Sequence, residues 1–542
     1  ELLLMLSRLD PNSLSGAALG FYNFALEGLR PQERPFEFEG ETTIEVFAHN
    51  NTEQFISQDT YIRHPNLLKP FANFKFDFFL TNHGYGYFEI PLMGLIYGET
   101  TAAPHKDVTI PASTRSGAHG FGLNLPFTGG FKDLNFFVPF RTLVAFGGRG
   151  WNFQIGRDRL SWGNGESGNF MVGDHVHYHN AARATFYNGT FKYMYNISSF
   201  PNPRHYYKIT AVTSPMDYKV DEWQPTGIEG ESYSGNPYDE GLNLFIAHRL
   251  EWRLFREKLG FALSESVMYQ SDTGTIIPDV LLPSMFLHDL YNNPNQNSLL
   301  ALEADFSILP RLNIYGQMAV DEFNIPLAEN PPKPDAPGNQ ETMAFMAGAK
   351  TAFPLWRGMF SASFEYVKTP PNLYLHEVRK GGTLTYIVAN RYAETSMQQY
   401  GEEFLGYRWG GDARVFNLRA SYREFGRLDL TANLFLMTHG TRDKWSKLAQ
   451  VYSTDTDRTD VPTDVPITEN HAGVDNYADA DAKTTRNAAY VMTAFSLTGS
   501  WQFLPDYRVY GQIDFVSIEN FGNISGVEAS DVQLTLGVTY SF

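Results

Sequence analysis

Asp531-Val-Gln-Leu-Thr-Leu-Gly-Val-Thr-Tyr-Ser-Phe542 is the stretch from which the fold is read. Val532, Leu534, Leu536, Val538, Tyr540 and Phe542 fall on one face of an extended chain, and Gln533, Thr535, Gly537, Thr539 and Ser541 on the other. This is the period-two alternation of a strand with one apolar side. Alone, it fits a soluble sandwich with its apolar side inward as well as a membrane barrel with that side outward. The alternation persists upstream, and charge enters the polar face. Leu312, Ile314, Gly316, Met318 and Val320 oppose Asn313, Tyr315, Gln317, Ala319 and Asp321, and Leu428, Leu430, Ala432, Leu434 and Leu436 oppose Asp429, Thr431 and Asn433.

The connections decide between the two architectures. Tight turns are expected at Leu309-Pro310-Arg311, Phe353-Pro354-Leu355, Phe425-Gly426-Arg427 and Leu504-Pro505-Asp506. Between them lie long polar stretches, Gly98 to Gly130, Val220 to Glu240, the Pro-rich Asn324 to Gln340 and the acidic Gly440 to Arg486. Compact soluble domains rarely contain so many. Short turns at one end and long loops at the other are the asymmetry of outer-membrane barrels, periplasmic and extracellular respectively. Allowing about 25 residues per strand with its connections, the ~500 residues after the helical start give roughly 16 to 20 strands, an even number, and about eighteen is expected. Asn313-Ile-Tyr-Gly-Gln317 and Arg508-Val-Tyr-Gly-Gln512 also resemble each other, as one hairpin solution used twice.

Composition agrees. The 542 residues are 43% hydrophobic and 15% aromatic, with a mean hydropathy of −0.30. A helical span needs about 20 consecutive apolar residues, and even Phe71 to Leu80 is interrupted by Lys75 and Asp77. Sixty acidic residues against 42 basic give a net charge of −18, which disfavours nucleic acid as a partner. Without cysteine there is no disulfide, thiol chemistry or Cys-type zinc site. Residues 1–40 are expected to form an N-terminal helical segment on the periplasmic side, from Leu2 to Leu9 and Ala17 to Glu27 around a turn at Asp10-Pro11-Asn12, with the barrel over 41–542. A start at Glu1 without Met is read as a chain whose targeting peptide has been removed.

Three stretches carry a resemblance. Phe153-Gln-Ile-Gly-Arg-Asp-Arg-Leu-Ser-Trp-Gly-Asn-Gly-Glu-Ser-Gly-Asn-Phe170 is similar to the Gly-Arg, Trp-Gly-x-Gly, Gly signature of the Wzi-like capsule-assembly outer-membrane proteins. Phe261-Ala-Leu-Ser-Glu-Ser-Val-Met-Tyr269 resembles that family's Ser-Glu strand. Leu282 to Asp289, Asn297 to Asp305 and Ile314 to Phe323 resemble its central loop and hairpin, in the same order. The resemblance spans about Glu37 to Phe323. It implies an eighteen-stranded barrel with periplasmic N-terminal helices and binding of capsular polysaccharide at the cell surface. Asp174-His-Val-His-Tyr-His179 departs from the pattern, where small polar residues would be expected.

Candidate ligand residues follow. Trp162 is a possible sugar-stacking platform, with Arg157 and Arg159 holding an acidic sugar through forked hydrogen bonds. The plainer reading of Trp162 and its glycines Gly163, Gly165 and Gly168 is a bend that turns the chain inward. Glu265, in the Ser-Glu strand, shares parity with Phe261 and Leu263, so a bulge is needed to turn it inward. His175, His177 and His179 would share one strand face, a spacing open to a metal if Asp174 joined them, beside the plainer reading as wet lumen residues. Arg249, Glu251 and Arg253, and Arg419 with Arg423, should point into the lumen as paired charges.

No nucleophile elbow, P-loop or His-Glu-x-x-His is present. The expectation is therefore a non-enzymatic barrel without cofactor. Its expected partners are outer-membrane lipid, surface polysaccharide and, through the strand ending at Phe542, the barrel-assembly machinery. A lectin-type role is favoured over the alternative, a diffusion porin. N-terminal helices below and the loops Gly98 to Gly130 and Thr273 to Gln296 above are expected to fill the lumen.

Overall fold

The computed structural model describes residues 6, 9–14, 16–27, 35–51, 54–55, 69–81, 83–93, 121–125, 135–136, 140–200, 209–211, 218–220, 242–271, 274–283, 296–322, 342–371, 373–374, 386–394, 398–440 and 488–542. They form a closed antiparallel barrel of eighteen strands. The strands are β1 Phe36–His49, β2 Ala72–Thr81, β3 Gly84–Met93, β4 Thr142–Gly148, β5 Trp151–Asp158, β6 His179–Tyr187, β7 Phe191–Phe200, β8 Leu242–Leu254 and β9 Leu259–Ser271. They continue as β10 Gln296–Leu309, β11 Leu312–Glu322, β12 Thr342–Leu355, β13 Gly358–Lys368, β14 Ala413–Glu424, β15 Leu428–His439, β16 Tyr490–Leu504, β17 Tyr507–Glu519 and β18 Glu528–Ser541. Each pairs with the next, and β1 pairs with β18 from Glu41↔Ser541 to His49↔Gln533, which leaves no open sheet edge.

Alternation sorts the strands into an apolar outer wall and a polar inner one. Leu534, Leu536 and Val538 are exposed while Gln533 and Thr535 are buried, as the C-terminal strand predicts. The same outer face carries Phe153, Ile155, Phe364, Phe416, Leu418, Phe495 and Phe515. Near the short turns it is aromatic, with Trp151, Trp356, Phe425, Trp501 and Tyr507 exposed, the girdle of a bilayer-spanning barrel. No helix among the described residues is long and apolar enough to cross a membrane. The protein is an outer-membrane β-barrel that crosses with its strands.

The expected turns at 309–311, 425–427 and 504–506 join the strands predicted. At Phe353-Pro354-Leu355 β12 continues, and the turn falls at Trp356 and Arg357. β1 starts at Phe36, inside the stretch assigned to the helical segment, because Phe36, Phe38 and Gly40 pair with Phe78, Phe76 and Phe74. Helix α1, Gly16–Glu27, lies at the short-turn end, where the Phe21 ring meets Phe425 edge-on at 5.8 Å. A short 3-10 turn, Pro11–Ser13, precedes it with Asp10 as cap. Residues 1–5, the expected loops over 221–240 and 324–340, the acidic stretch over 441–486 and all of 98–130 but 121–125 fall outside the described residues.

The loops at the other end do not behave as one class. Residues 121–123 pair with Val46 to Ala48 of β1, above the start of β2. Of the stretch from Thr273 to Gln296, residues 274–283 lie on the outer wall over β7, β8 and β9, not inside as expected. Among the described residues, the lumen holds 159–178, between β5 and β6, and 370–371, 373–374 and 404–412, between β13 and β14.

Candidate functional site: the plugged lumen

Glycine geometry makes the inward turn. Gly163 has φ +130° and Gly168 φ +135°, conformations closed to residues with a Cβ, and a Cβ on Gly165 would meet the carbonyl of Gly168. The chain thereby folds back on itself, and the N–H of Trp162 bonds the carbonyl of Val172 at 3.1 Å. Phe170, Met171 and Val172 are buried, each burial stabilising the plug by about 1.5–3 kcal/mol. This is the inward bend that the glycines of the motif suggested.

The tip, 164–169, docks on the opposite wall. Glu365 of β13 accepts the N–H of Glu166 at 2.8 Å and of Ser167 at 2.9 Å, the Ser167 hydroxyl, and the Tyr315 hydroxyl of β11 at 2.6 Å. Gln317 of β11 donates to Asn169 at 2.6 Å, and Lys350 of β12 donates to the carbonyl of Asn164 at 2.6 Å. Glu166 itself pairs with Lys350 at 2.7 Å and Arg419 at 3.2 Å. Below this cradle, Arg249 pairs with Glu303, and Arg253 lies 2.8 Å from Asp305 and 3.6 Å from Glu251. Arg249 and Arg253 of β8 and Arg419 and Arg423 of β14 thus point inward as paired charges.

The second inward segment locks the first. The Tyr374 hydroxyl donates to the carbonyl of Phe170 at 2.6 Å and accepts the N–H of Tyr407 at 2.8 Å. Gly173 donates to the carbonyl of Leu405 at 2.8 Å. Phe170 meets Tyr407 edge-on at 5.8 Å. Burial holds the Tyr374 and Tyr407 phenols well above their ordinary range, so they stay neutral donors. Nothing in the local sequence pattern pointed to 404–412. Its signal is a Phe404-Leu-Gly-Tyr-Arg-Trp409 run too apolar for a wet loop.

The predicted ligand residues do not converge. The Trp162 ring is buried, with the Arg249 guanidinium 5.9 Å from its centre, so it packs the plug and offers no open stacking face. Arg157 shares the outward parity of Phe153 and Ile155 at the loop-end rim, bonded to Asn180 at 2.8 Å and over the Tyr178 ring at 4.2 Å. Arg159 is exposed. Glu265 keeps the outward parity of Phe261, because β9 pairs with β8 and β10 without a register shift and no bulge turns it inward. Only His179 of the three histidines lies in a strand. It contacts Ser198 at 3.2 Å, while His175 donates to the carbonyl of Phe404 at 2.7 Å. The rings turn to separate partners, and among the described residues no group of His, Cys, Asp or Glu is arranged to hold a metal. His177 is buried, and that desolvation, with the charges of Arg159 and Arg408, pushes its pKa down to about 3. Arg408 lies over the Trp409 ring at 5.2 Å.

No family model matches this sequence, and no curated protein does. Solved structures do. Wzi, an outer-membrane protein involved in group 1 capsule assembly in Escherichia coli and described as a carbohydrate-binding barrel, matches with a TM-score of 0.54 at 12% identity over 99% of this chain and 90% of its own. The outer-membrane channel DcaP of Acinetobacter baumannii aligns over 94% of this chain and 97% of its own at 9% identity and a TM-score of 0.35. OccD1 (OprD) aligns over 94% and 96% at 7% identity and a TM-score of 0.38. The first likeness establishes a shared fold.

Proposed function

We propose that this barrel is a non-conducting, non-enzymatic Wzi-like protein that binds or organises an anionic polysaccharide at its long-loop face. The observation that carries the reading is the plug. An eighteen-stranded barrel is wide enough for an aqueous channel, yet here segment 159–178 crosses from β5 and β6 to the β11–β13 wall and ends on a buried carboxylate with four donors. A diffusion pore has no use for so firm an obstruction. Arg159, exposed, and Arg408, stacked on Trp409, flank His177 on the loop-end segments, and guanidinium groups suit the carboxylates of acidic sugars. The carbohydrate-binding barrel of like fold supports the same reading.

The test joins two measurements on the purified protein. Planar bilayers should show little steady conductance, and immobilised acidic polysaccharide should retain the wild type but release an Arg159→Ala, Arg408→Ala double variant. Large, stable conductance without retention would move the assignment to a diffusion porin.

A further inference from the structure

Segment 274–283 leaves the loop end of β9 and lies against the outside of the barrel. Val280 is buried in a cluster with Leu244, Ile246, Val267 and Tyr269, all from outward-facing positions of β8 and β9, and Ile277 and Leu281 pack on the same cluster. Three wall phenols donate to its carbonyls: Tyr269 to Thr275 at 2.8 Å, Tyr195 to Leu281 at 2.8 Å and Tyr193 to Pro283 at 3.1 Å. Within the segment the N–H groups of Val280 and Leu282 bond the carbonyls of Ile277 and Asp279, each at 3.2 Å, and Pro278 and Pro283 have no N–H to satisfy. Irregular backbone is normally excluded from lipid because its polar groups lack partners. Here much of that obstacle is removed.

The wall beside the segment carries two polar residues, and the Tyr193 hydroxyl that holds Pro283 also meets one of them. His248 and Glu265, register partners on the outward face, are buried, with His248 2.8 Å from the Tyr193 hydroxyl. Bare, they would meet acyl chains at high cost. On the far side, Ile276 and Leu282 are 39% and 43% exposed, matching Leu534 and Val538 of the lipid-facing wall at 38% and 43%.

The geometry points to a membrane-seated flap: residues 274–283 take the place of lipid over the His248 and Glu265 patch and present Ile276 and Leu282 to the acyl chains of the outer leaflet. Its occupant is hydrocarbon, by continuity with the lipid band of the same wall. Asp279, exposed on the flap's single turn, sets the depth, because a carboxylate belongs at headgroup level. The flap lies at the boundary between headgroups and chains.

The chain has no cysteine, so Ile276→Cys, Leu282→Cys and, as a lipid reference, Leu536→Cys can each be labelled with bimane in liposomes. Arg427→Cys, at an exposed short turn, is the water reference. Phosphatidylcholine bearing a nitroxide near the glycerol end of its acyl chain should quench the two flap labels, phosphatidylcholine bearing one near the methyl end should quench Leu536→Cys, and aqueous iodide should quench none of the three. Adding Tyr195→Phe and Tyr269→Phe should shift the flap labels toward iodide. If Ile276→Cys lacks the heat-modifiable gel mobility of a folded barrel, Leu282→Cys decides. Flap labels quenched by iodide and untouched by the lipid nitroxide overturn the inference, whatever the lumen binds.

Discussion

Phe542 and Gly40 exchange both backbone hydrogen bonds, each at 2.9 Å, and the Phe542 ring lies where a side chain on Gly40 would stand. The seam between β1 and β18 therefore closes over a glycine because an aromatic ring occupies its place. Tyr315 covers Gly348 and Tyr510 covers Gly537 in the same way, each ring over its register partner on the next strand.

Gly40→Val should force the Phe542 ring out of position, at an overpacking cost of about 1–3 kcal/mol. The folded band on an unheated gel should weaken, and Phe542→Ala in the same chain should partly restore it. An unaltered band for Gly40→Val would show that the ring does not need the space.

Arginine at Leu536, on the outer wall, should cost about 2–4 kcal/mol near the bilayer midplane. Arginine at Ser500, half-buried on the inner wall beside its register partner Asp429, should be tolerated. Equal refolding yields in liposomes for the two variants would contradict the assignment of faces.

Glu365→Ala strips three groups of the plug tip and the Tyr315 hydroxyl of their shared acceptor. The penalty, about 2–5 kcal/mol, falls on the docked plug and leaves the wall intact. Single-channel recordings should show frequent, noisy openings in a barrel of unchanged gel mobility. Continued silence would mean that the aromatic lock around Tyr374 suffices without the carboxylate.

Acid should have a similar effect by another route. Docked, His177 is held down to about 3, whereas in a released, wet segment it would titrate near its ordinary value of about 6.5. Between those values the released state binds more protons. Docking is therefore at full strength above the upper value and weakens as pH falls toward the lower one. A drop from about pH 6.5 to about pH 5 removes about 2 kcal/mol. Openings should increase over that range in the wild type and less so in His177→Gln; a flat wild-type profile would remove His177 from the account.

The wall was legible because a strand with lipid on one side and a polar lumen on the other must alternate, as Val532 to Phe542 does residue by residue. Turn positions followed from Pro and Gly between alternating runs, missing only where Pro354 is accommodated within β12. The repeated Tyr-Gly-Gln also had a physical basis, since Tyr315 and Tyr510 both bring a phenol to a buried glutamate, Glu365 and Glu45. The contents of the barrel were not legible. An apolar loop residue gives the same signal whether it packs inside, as Phe170 does, or on the outside, as Val280 does. Trp162 read as a possible sugar platform because sequence does not show Arg249 covering it. Glu265 kept the parity its neighbours indicated, and what it needed was a cover over the wall.

The reach of the plug also dictates a timetable. Ser167 and Glu365 are 198 residues apart in the chain, and Glu166 and Arg419 are 253 apart, so the cradle does not exist until the strands from β11 to β14 stand beside one another. Contacts between such distant residues form late, after the chain entropy of the intervening segments has been lost. The strands from β11 to β14 must therefore stand before 159–178 can dock, and until it reaches Glu365 and Arg419 that part of the wall encloses space the segment has yet to fill.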